Sequence, residues 1–315
     1  MVVVGALLLA GCGASVTVTP ARSSSTSAGA GSTGRGATPD APPAVPSTGA
    51  YLGAWLHPSA PAAGQSAFAV EQRAVPAVLA AAGRPLGLLH VYTPWGRPAP
   101  VAELRAIVAD GSVPIVDWGC GPDVAAVGGG SDDSLITTYA DALKGFGGPV
   151  FLRWCWEMNL VATHPQLGGP AGFVGAWDHI RALFRQAGAG NVSFVWCPAL
   201  TGSDPTPYFP GAGEVDWIGV DGYDRDGAQT FAGLFGAFVH EWERQGKPLM
   251  VAETGAAGEA QPAYIGSIGT GAPTLPSVKA VVYFDAPGPL DTWQLTPAGL
   301  TAFGHLAATA YFHPE

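Results

Sequence analysis

From Tyr51 to the C-terminus, short apolar runs that are typical of β-strands alternate with longer amphipathic runs that are typical of helices. Eight strands are predicted, at 51–56, 86–95, 113–121, 149–159, 192–200, 215–223, 247–255 and 278–287. Most of them are continuous stretches of Val, Ile, Leu and Phe, which indicates parallel strands buried on both faces. Eight strand–helix units in about 265 residues favour a single α/β domain, a closed (β/α)8 TIM barrel, over an open doubly wound sheet. No glycine-rich phosphate-binding turn follows the first strand, which disfavours a dinucleotide-binding fold.

The residues before the barrel predict export. Residues 2–12, VVVGALLLAGC, form an apolar run too short to span a bilayer, and small residues precede Cys12. The segment LAGC resembles the bacterial lipoprotein signal, so we expect a signal peptide over 1–12 and a lipid anchor at Cys12. One feature departs from that signal, because no Lys or Arg precedes the apolar run. The alternatives are a plain secretory signal and a chance apolar start.

Residues 13–49 are dominated by Ser, Thr, Gly, Ala and Pro. So little apolar surface does not offset the entropy of ordering the chain, which predicts a disordered linker. We therefore expect an anchored lipoprotein on the outer side of the cell membrane, or an extracellular protein, with one folded domain over 50–315.

The charge balance argues against two classes of partner. Net charge is −10 and no cluster of Lys or Arg is present, so neither nucleic acid nor an anionic membrane surface is expected to bind. With 48% hydrophobic residues the chain has enough apolar side chains for one large core, and we expect a monomer. The ten tryptophans have flat faces that stack on sugar rings as readily as they fill a core.

Active sites of (β/α)8 barrels lie at the C-terminal ends of the strands, so these ends supply the candidate residues. Polar, aromatic and cysteine residues found there are His90, Tyr92, Trp95, Asp117, Trp118, Cys120, Glu157, Asn159, Trp196, Cys197, Asp221, Tyr223, Glu253, Phe284 and Asp285.

Two glutamates, Glu157 and Glu253, end strands four and seven, on opposite sides of the barrel mouth. Strand alternation is expected to place Glu253 on the same face as Leu249 and Val251. Two carboxyl groups across one gap are the minimum for cleaving a glycosidic bond, because one must be a protonated acid and the other ionised. Trp and Met residues beside Glu157 favour its neutral form, which suits the acid.

Each glutamate alone has a simpler explanation, an ion pair with Arg153 or Arg225. That explanation is weaker for two glutamates that end these two strands among aromatic residues. Their combination therefore favours a catalytic pair.

The segments around both glutamates resemble clan A glycoside hydrolases, and within that clan family 26, which is best known for β-mannanases. The acid/base motif of that family runs Arg-Pro-x-His-Glu-Met-Asn, and residues 153–159 read RWCWEMN. Similar segments are YFPGAGEVDWIGVDGYD, KPLMVAETG and VKAVVYFD, so the resemblance covers essentially residues 51–312. It implies an endo-acting retaining hydrolase of a β-linked polysaccharide such as β-mannan or β-glucan, with a catalytic domain over 50–315 and no cofactor.

The resemblance implies a role for each matching residue. Glu157 becomes the acid/base, Glu253 the nucleophile, Tyr223 the residue that orients the nucleophile, and Arg153 a support from strand four. Candidate substrate-binding residues are His90, Trp95, Trp118, Trp156, Asn159, Trp196 and Asp221. For His90 a strand-end hydrogen bond is the alternative, and for the tryptophans ordinary packing at the mouth.

Trp156 departs from the family, which usually has histidine there to bond the sugar in the cleavage subsite. Tryptophan accepts no hydrogen bond from a hydroxyl and is far bulkier. The substrate thus stays open among β-mannan, mixed-linkage β-glucan, β-xylan and an envelope polysaccharide. Trp156 also leaves open an alternative function, in which the barrel binds carbohydrate without cleaving it. Trp154 in place of proline is a milder departure.

Three cysteines, Cys120, Cys155 and Cys197, end consecutive strands. Neighbouring strands lie about 4.8 Å apart, so one disulfide is possible, and free buried thiols are the alternative. No histidine spacing completes a zinc site with them, and the acidic segment DGYDRDG lacks the spacing of a calcium loop. We therefore expect no bound metal.

Overall fold

The computed structural model describes residues 40–57, 67–287 and 292–314. Eight parallel strands close into a barrel in chain order, so the predicted TIM barrel is confirmed. The strands are β1 (Tyr51–Leu56), β2 (Leu88–Thr93), β3 (Val113–Trp118), β4 (Val150–Trp154), β5 (Val192–Trp196), β6 (Trp217–Asp224), β7 (Leu249–Ala256) and β8 (Val278–Asp285). The helices are α1 (Ala67–Ala82), α2 (Val101–Ala109), α3 (Val124–Gly128), α4 (Asp133–Phe146), α5 (Gly169–Ala187), α6 (Phe231–Trp242), α7 (Gln261–Gly271) and α8 (Pro297–Ala307). Within these residues no helix has the length and apolar character needed to cross a membrane.

Apolar side chains form two layers, one on each side of the strands. The inner layer fills the barrel and includes Leu88, Ile115, Phe151, Trp217 and Met250. The outer layer is larger and lies between the strands and the helices. Because successive side chains of a strand point to opposite faces, the inward-facing residues nearer the C-terminal ends continue the inner layer. These residues are polar, and they form the floor of the candidate site.

A β-bulge in β7 decides where Glu253 points. Consecutive residues of β6 lie opposite Val251 and Glu253, so Ala252 is an extra residue in β7. Met250 and Ala252 belong to the inner layer, whereas Leu249 and Val251 belong to the outer layer. The bulge therefore lets Glu253 face inward immediately after another inward residue. The expectation that Leu249, Val251 and Glu253 share one face was wrong, because simple alternation ignores the bulge.

Strand β4 is shorter than predicted. It ends at Trp154, and residues 155–159, which the sequence places in the strand, form a turn that we call the Glu157 turn. Cys155 and Glu157 have φ angles of 50° and 56°, in the left-handed region, which is incompatible with an extended strand. The proposed acid therefore lies on a turn, while the proposed nucleophile lies on a strand.

The predicted signal peptide, its Cys12 and linker residues 13–39 lie outside the described residues. Residues 40–49 are described, and they pack on the barrel although their composition predicts disorder. Pro43 and Pro46 are buried, the Asp40 N–H donates to the Gly147 carbonyl at 3.1 Å, and the Tyr51 hydroxyl donates to the Ala44 carbonyl at 3.0 Å. Proline lowers the entropy cost of ordering this segment, but the sequence does not show which prolines are buried against the barrel.

Candidate active site

Arg153 on β4 is fully buried and contacts three carboxylates at the floor of the mouth. Its Nη1 donates to both oxygens of Asp221 at 2.8 and 2.6 Å, its Nε to Asp117, and its Nη2 to Glu253. Burial alone lowers the pKa of Arg153, but the charges of Asp117, Asp221 and Glu253 outweigh it and hold that pKa well above its usual range. The guanidinium is therefore a permanent positive charge that joins β3, β4, β6 and β7.

Glu253 on β7 is 5% exposed and accepts hydrogen bonds on both oxygens. Oε1 accepts from the Tyr92 hydroxyl at 2.6 Å and from Arg153, and Oε2 accepts from the Tyr223 hydroxyl at 2.5 Å. The contact between Tyr223 and Glu253 that the resemblance implies is thus present. Three donors, one of them charged, stabilise a negative charge on this carboxylate and fix its orientation.

Tyr92 is a partner of Glu253 that the sequence marked only as a strand-end residue. Two signals were available for finding it. It lies two residues after His90 and so shares its inward face, and it pairs in register with Asp117. Inward-facing residues that pair in register lie at the same level of the barrel, so Tyr92 is expected beside Asp117 at the floor of the mouth.

Glu157 has the opposite surroundings. Its backbone N–H donates to the Cys197 carbonyl at 2.7 Å, but its carboxyl has no hydrogen-bond or ion-pair partner among the residues that the structure describes. Burial raises the pKa of Glu157 to about 7, and the negative charge of Glu253 adds to the rise, while Arg153 and Arg225 act against it. A carboxyl group in this state still holds a proton near neutral pH, as a general acid must.

His90 and Asp221 belong to the floor and not to the open mouth. His90 is fully buried, and its Nδ1 lies 2.5 Å from Asp117 Oδ2. Asp221 is 1% exposed and, besides Arg153, accepts from the Cys197 thiol at 3.3 Å. Both side chains are therefore buried and orient the charged groups around Arg153.

Two of the predicted tryptophans are partly exposed, and one of them, Trp156, lies at the mouth. Trp156 is partly exposed, meets the Tyr92 ring edge-on at 5.3 Å, and lies 5.4 Å from the Arg153 guanidinium. Trp95 is also partly exposed, but it packs against the outer layer, where it stacks on Trp118 with ring centres 4.4 Å apart. Each of these two rings keeps surface that a sugar can contact.

Trp118 and Trp196 are fully buried, which leaves no face for a sugar. Trp118 stacks on Tyr139 of α4 at 4.1 Å, and Trp196 packs on α6. Trp118 follows Asp117, and Trp196 precedes Cys197. Asp117 and Cys197 point inward, so strand alternation turns both indoles outward into the helix layer. The sequence predicted both tryptophans at the mouth because they end strands. Each indole points outward because the residue beside it in the chain points inward.

Asn159 is 1% exposed, and its amide ties the Glu157 turn to the segment after β5. Its Nδ2 donates to the carbonyls of Ala199 and Ser203, both at 2.8 Å, and its Oδ1 accepts from the Ala199 N–H at 2.8 Å. The amide has no remaining donor for a sugar. Its place in the structure is that of a clamp on the turn.

Further aromatic rings border the opening on the β8 side. One of them, Trp55, was not among the residues that the sequence singled out. Its ring is partly exposed and lies 4.5 Å from the rings of both Tyr92 and Phe284. Tyr223 stacks on Trp293 at 4.6 Å. The mouth is therefore aromatic on several sides.

Cysteine pairing, which the sequence left open, is resolved. Cys120 and Cys155 form a disulfide between the ends of β3 and β4, and Cys197 is a free buried thiol. Within the described parts of the chain no group of three or more His, Cys, Asp or Glu side chains is arranged to hold a metal ion.

Sequence comparison finds two curated relatives, and no family model matches the chain. Endoglucanase H of Acetivibrio thermocellus is 25% identical over 197 residues, which are 56% of this chain and 22% of that protein. The β-1,3-xylanase TXYA of a Vibrio species is 31% identical over 105 residues, which are 31% of this chain and 22% of that protein. The chain spans about a fifth of the length of each of these relatives.

Structural comparison finds β-mannanases on the same barrel. A family 26 glycoside hydrolase, the β-mannanase BoMan26A of Bacteroides ovatus, has a TM-score of 0.56 at 15% identity, with 84% of this chain and 90% of that chain covered. A β-mannanase from a symbiotic protist of the termite Reticulitermes speratus, complexed with gluco-manno-oligosaccharide, has a TM-score of 0.62 at 12% identity, with 87% and 95% covered. The fold is therefore the one on which family 26 mannanases are built.

Proposed function

We propose that this chain is an endo-acting, retaining hydrolase of a β-linked polysaccharide, with Glu157 as acid/base and Glu253 as nucleophile. One observation carries the proposal: two carboxyl groups at the same barrel mouth have opposite surroundings. Glu253 is held by Arg153 and two tyrosine hydroxyls, whereas Glu157 has no partner for its carboxyl among the described residues and a pKa raised to about 7. That division is what double displacement requires of its two carboxyls.

In the first step Glu253 attacks the anomeric carbon while the glycosidic C–O bond breaks. Oε1 already accepts from Arg153 and Tyr92, but Oε2 accepts only from Tyr223, so Oε2 has the free lone pair for attack. Glu157 gives its proton to the departing oxygen and becomes a carboxylate. Arg153 and both tyrosines keep the nucleophile aimed throughout.

In the second step the glycosyl–enzyme is hydrolysed. The Glu157 carboxylate removes a proton from water, the water oxygen attacks the anomeric carbon, and the bond to Glu253 breaks. Glu157 is then protonated and Glu253 ionised, as at the start. Two displacements at one carbon return the original β configuration. The mechanism calls for carboxyl groups about 5–5.5 Å apart.

The substrate class is inferred from the aromatic mouth together with the relatives. Partly exposed Trp55 and Trp156, which both contact Tyr92 at the mouth, offer faces that suit the apolar faces of sugar rings. The similar proteins are named as an endoglucanase, a β-1,3-xylanase and β-mannanases. We therefore propose a β-mannan or a β-glucan as substrate, with β-xylan and an envelope polysaccharide as the further members of the test panel.

We further propose that the protein acts outside the cytoplasm, held at the membrane by a lipid on Cys12. The Cys120–Cys155 disulfide supports an oxidising compartment, because such bonds are rare in reducing cytosol. Metabolic labelling with a radioactive fatty acid tests the anchor. Label on the full-length protein that a Cys12→Ala variant lacks is expected, and equal labelling of both would contradict it.

The function is tested on a panel of soluble β-mannan, mixed-linkage β-glucan, β-xylan and cell-envelope polysaccharide. Release of reducing sugar is compared between the wild type and Glu253→Ala, both checked for fold by circular dichroism. We expect release from one or more glycans by the wild type only. If the wild type binds a glycan but releases no more sugar than the variant, the chain is the carbohydrate-binding alternative and the proposal fails.

A further inference from the structure

The Glu157 turn has a backbone that few side chains tolerate. Among the described residues other than glycine, positive φ angles occur only at Asp40, Cys155 and Glu157. A Cβ in this region is crowded by the backbone, so the conformation persists only where the surroundings impose it. Two of the three such residues lie within three positions of each other, at the proposed acid.

The start of the turn is fixed covalently. Cys155 is fully buried and bonded through its sulfur to Cys120, which follows β3. Its N–H also donates to the Trp118 carbonyl at 2.9 Å, so β3 holds this residue through both backbone and side chain. The disulfide thus lies two residues before Glu157, at the first left-handed position.

No side-chain contact aims the Glu157 carboxyl, although the Glu157 N–H donates to the Cys197 carbonyl at 2.7 Å. The Glu157 side chain has no partner among the described residues, so the position of the acid follows from the backbone of the turn. The end of the turn is clamped by Asn159, but only through hydrogen bonds. Glu253, in contrast, is fixed by hydrogen bonds from Arg153 on β4, Tyr92 on β2 and Tyr223 on β6.

We propose that the Cys120–Cys155 disulfide is a positioning device for the general acid: it holds the turn in the left-handed conformation that presents Glu157 to the leaving-group oxygen. The inference rests on the proposed function and adds to it. Without the bond, Cys155 relaxes toward an ordinary φ and Glu157 moves with it, while the nucleophile stays in place. Loss of the disulfide must then impair proton donation more than nucleophilic attack.

Leaving-group dependence separates these two effects. Departure of 2,4-dinitrophenolate needs no proton, whereas departure of phenol does, so kcat/KM on the phenyl glycoside reports the acid. The probes are the dinitrophenyl and phenyl β-glycosides of cellobiose, mannobiose and xylobiose. For Cys120→Ser/Cys155→Ser we expect kcat/KM to fall about 30-fold or more on the phenyl glycoside and less than about 3-fold on the dinitrophenyl glycoside. Azide, a nucleophile that needs no base, should raise kcat of the variant on the dinitrophenyl glycoside.

Reduction of the wild type provides a matched control without mutation. Dithiothreitol converts the disulfide to two thiols and is itself oxidised to a cyclic disulfide, and the wild type should then acquire the pattern of the double variant. The double variant itself should not respond to dithiothreitol. Glu157→Ala sets the limit of the effect, and circular dichroism at the assay temperature confirms that each protein is folded.

The outcomes are distinct. Parallel losses on both aryl glycosides, or no loss on either, would overturn the positioning role while leaving the proposed function intact. A folded wild type that hydrolyses no probe and no glycan would overturn the proposed function, and this inference with it.

Discussion

The two glutamates at the mouth are held in different ways. Glu253 lies on a strand, at a bulge, with a cationic and two phenolic donors. Glu157 lies on a turn, with its backbone held by a disulfide and hydrogen bonds and its carboxyl without a partner among the described residues. Direct contacts suit a group that must be ionised and aimed, and indirect support suits a group that must gain and lose a proton. The two different kinds of support are what the two proposed roles require of one residue type.

Removing the proposed nucleophile, Glu253, should have the largest effect. Glu253→Ala leaves no group to form the glycosyl–enzyme, so we expect kcat on the preferred glycan to fall by about 10⁴-fold or more. Reducing-sugar release over long incubations measures it. A loss of less than about tenfold would show that Glu253 is not the nucleophile.

Removing the proposed acid, Glu157, should lower the rate less, and the loss should depend on the leaving group. For Glu157→Gln we expect kcat/KM to fall about 10²–10⁴-fold on a glycan, because proton transfer contributes that much, but little on a dinitrophenyl glycoside. Kinetics on both substrates test this. An equal fall in kcat/KM on the two substrates would show that Glu157 does not donate the proton to the leaving group.

The pH profile should show the raised pKa of Glu157. The acid must be protonated, so kcat/KM should fall as pH rises through about 7, by about tenfold per pH unit and about 100-fold by pH 9. In Glu157→Gln this alkaline limb should vanish, since glutamine does not titrate. An alkaline limb that persists in the variant assigns it to another group.

The two tyrosines should have the smallest effects, in a defined order. Tyr223 is the donor to Oε2, whereas Tyr92 shares Oε1 with Arg153, so we expect kcat to fall about 10–100-fold in Tyr223→Phe and less than about 10-fold in Tyr92→Phe. Both variants remove one hydroxyl and match in size, and steady-state kinetics compare them. The reverse order would show that Oε1 is the attacking oxygen.

The barrel was predictable because buried parallel strands produce continuous apolar runs, and all eight were located. Residues whose placement follows from alternation were also within reach: Asp117 and Arg153 point inward, so Trp118 must point outward, although we expected it at the mouth. The short helix α3 (Val124–Gly128) was missed, because five residues are too few for a periodic pattern.

Local irregularity was beyond prediction, and the site depends on it. A bulge at Ala252 aims Glu253, and the left-handed Cys155 follows the end of β4 two residues before Glu157. Glycine often marks a bulge or a left-handed residue in a sequence, but none occupies these positions. Both features depend on neighbours in three dimensions. The choice of Cys120 over Cys197 as partner of Cys155 likewise follows from which side chains meet, and the chain order allows either.

Trapping of the glycosyl–enzyme tests the central division of roles most directly. The protein is incubated with the 2,4-dinitrophenyl 2-deoxy-2-fluoro-β-glycoside of a sugar that it hydrolyses, then digested, and the labelled peptide is sequenced by mass spectrometry. The fluorine slows both steps and the activated leaving group restores the first, so the intermediate accumulates. We predict one sugar per protein, on Glu253. A label on Glu157, or turnover with inversion and no label, would contradict the assignment.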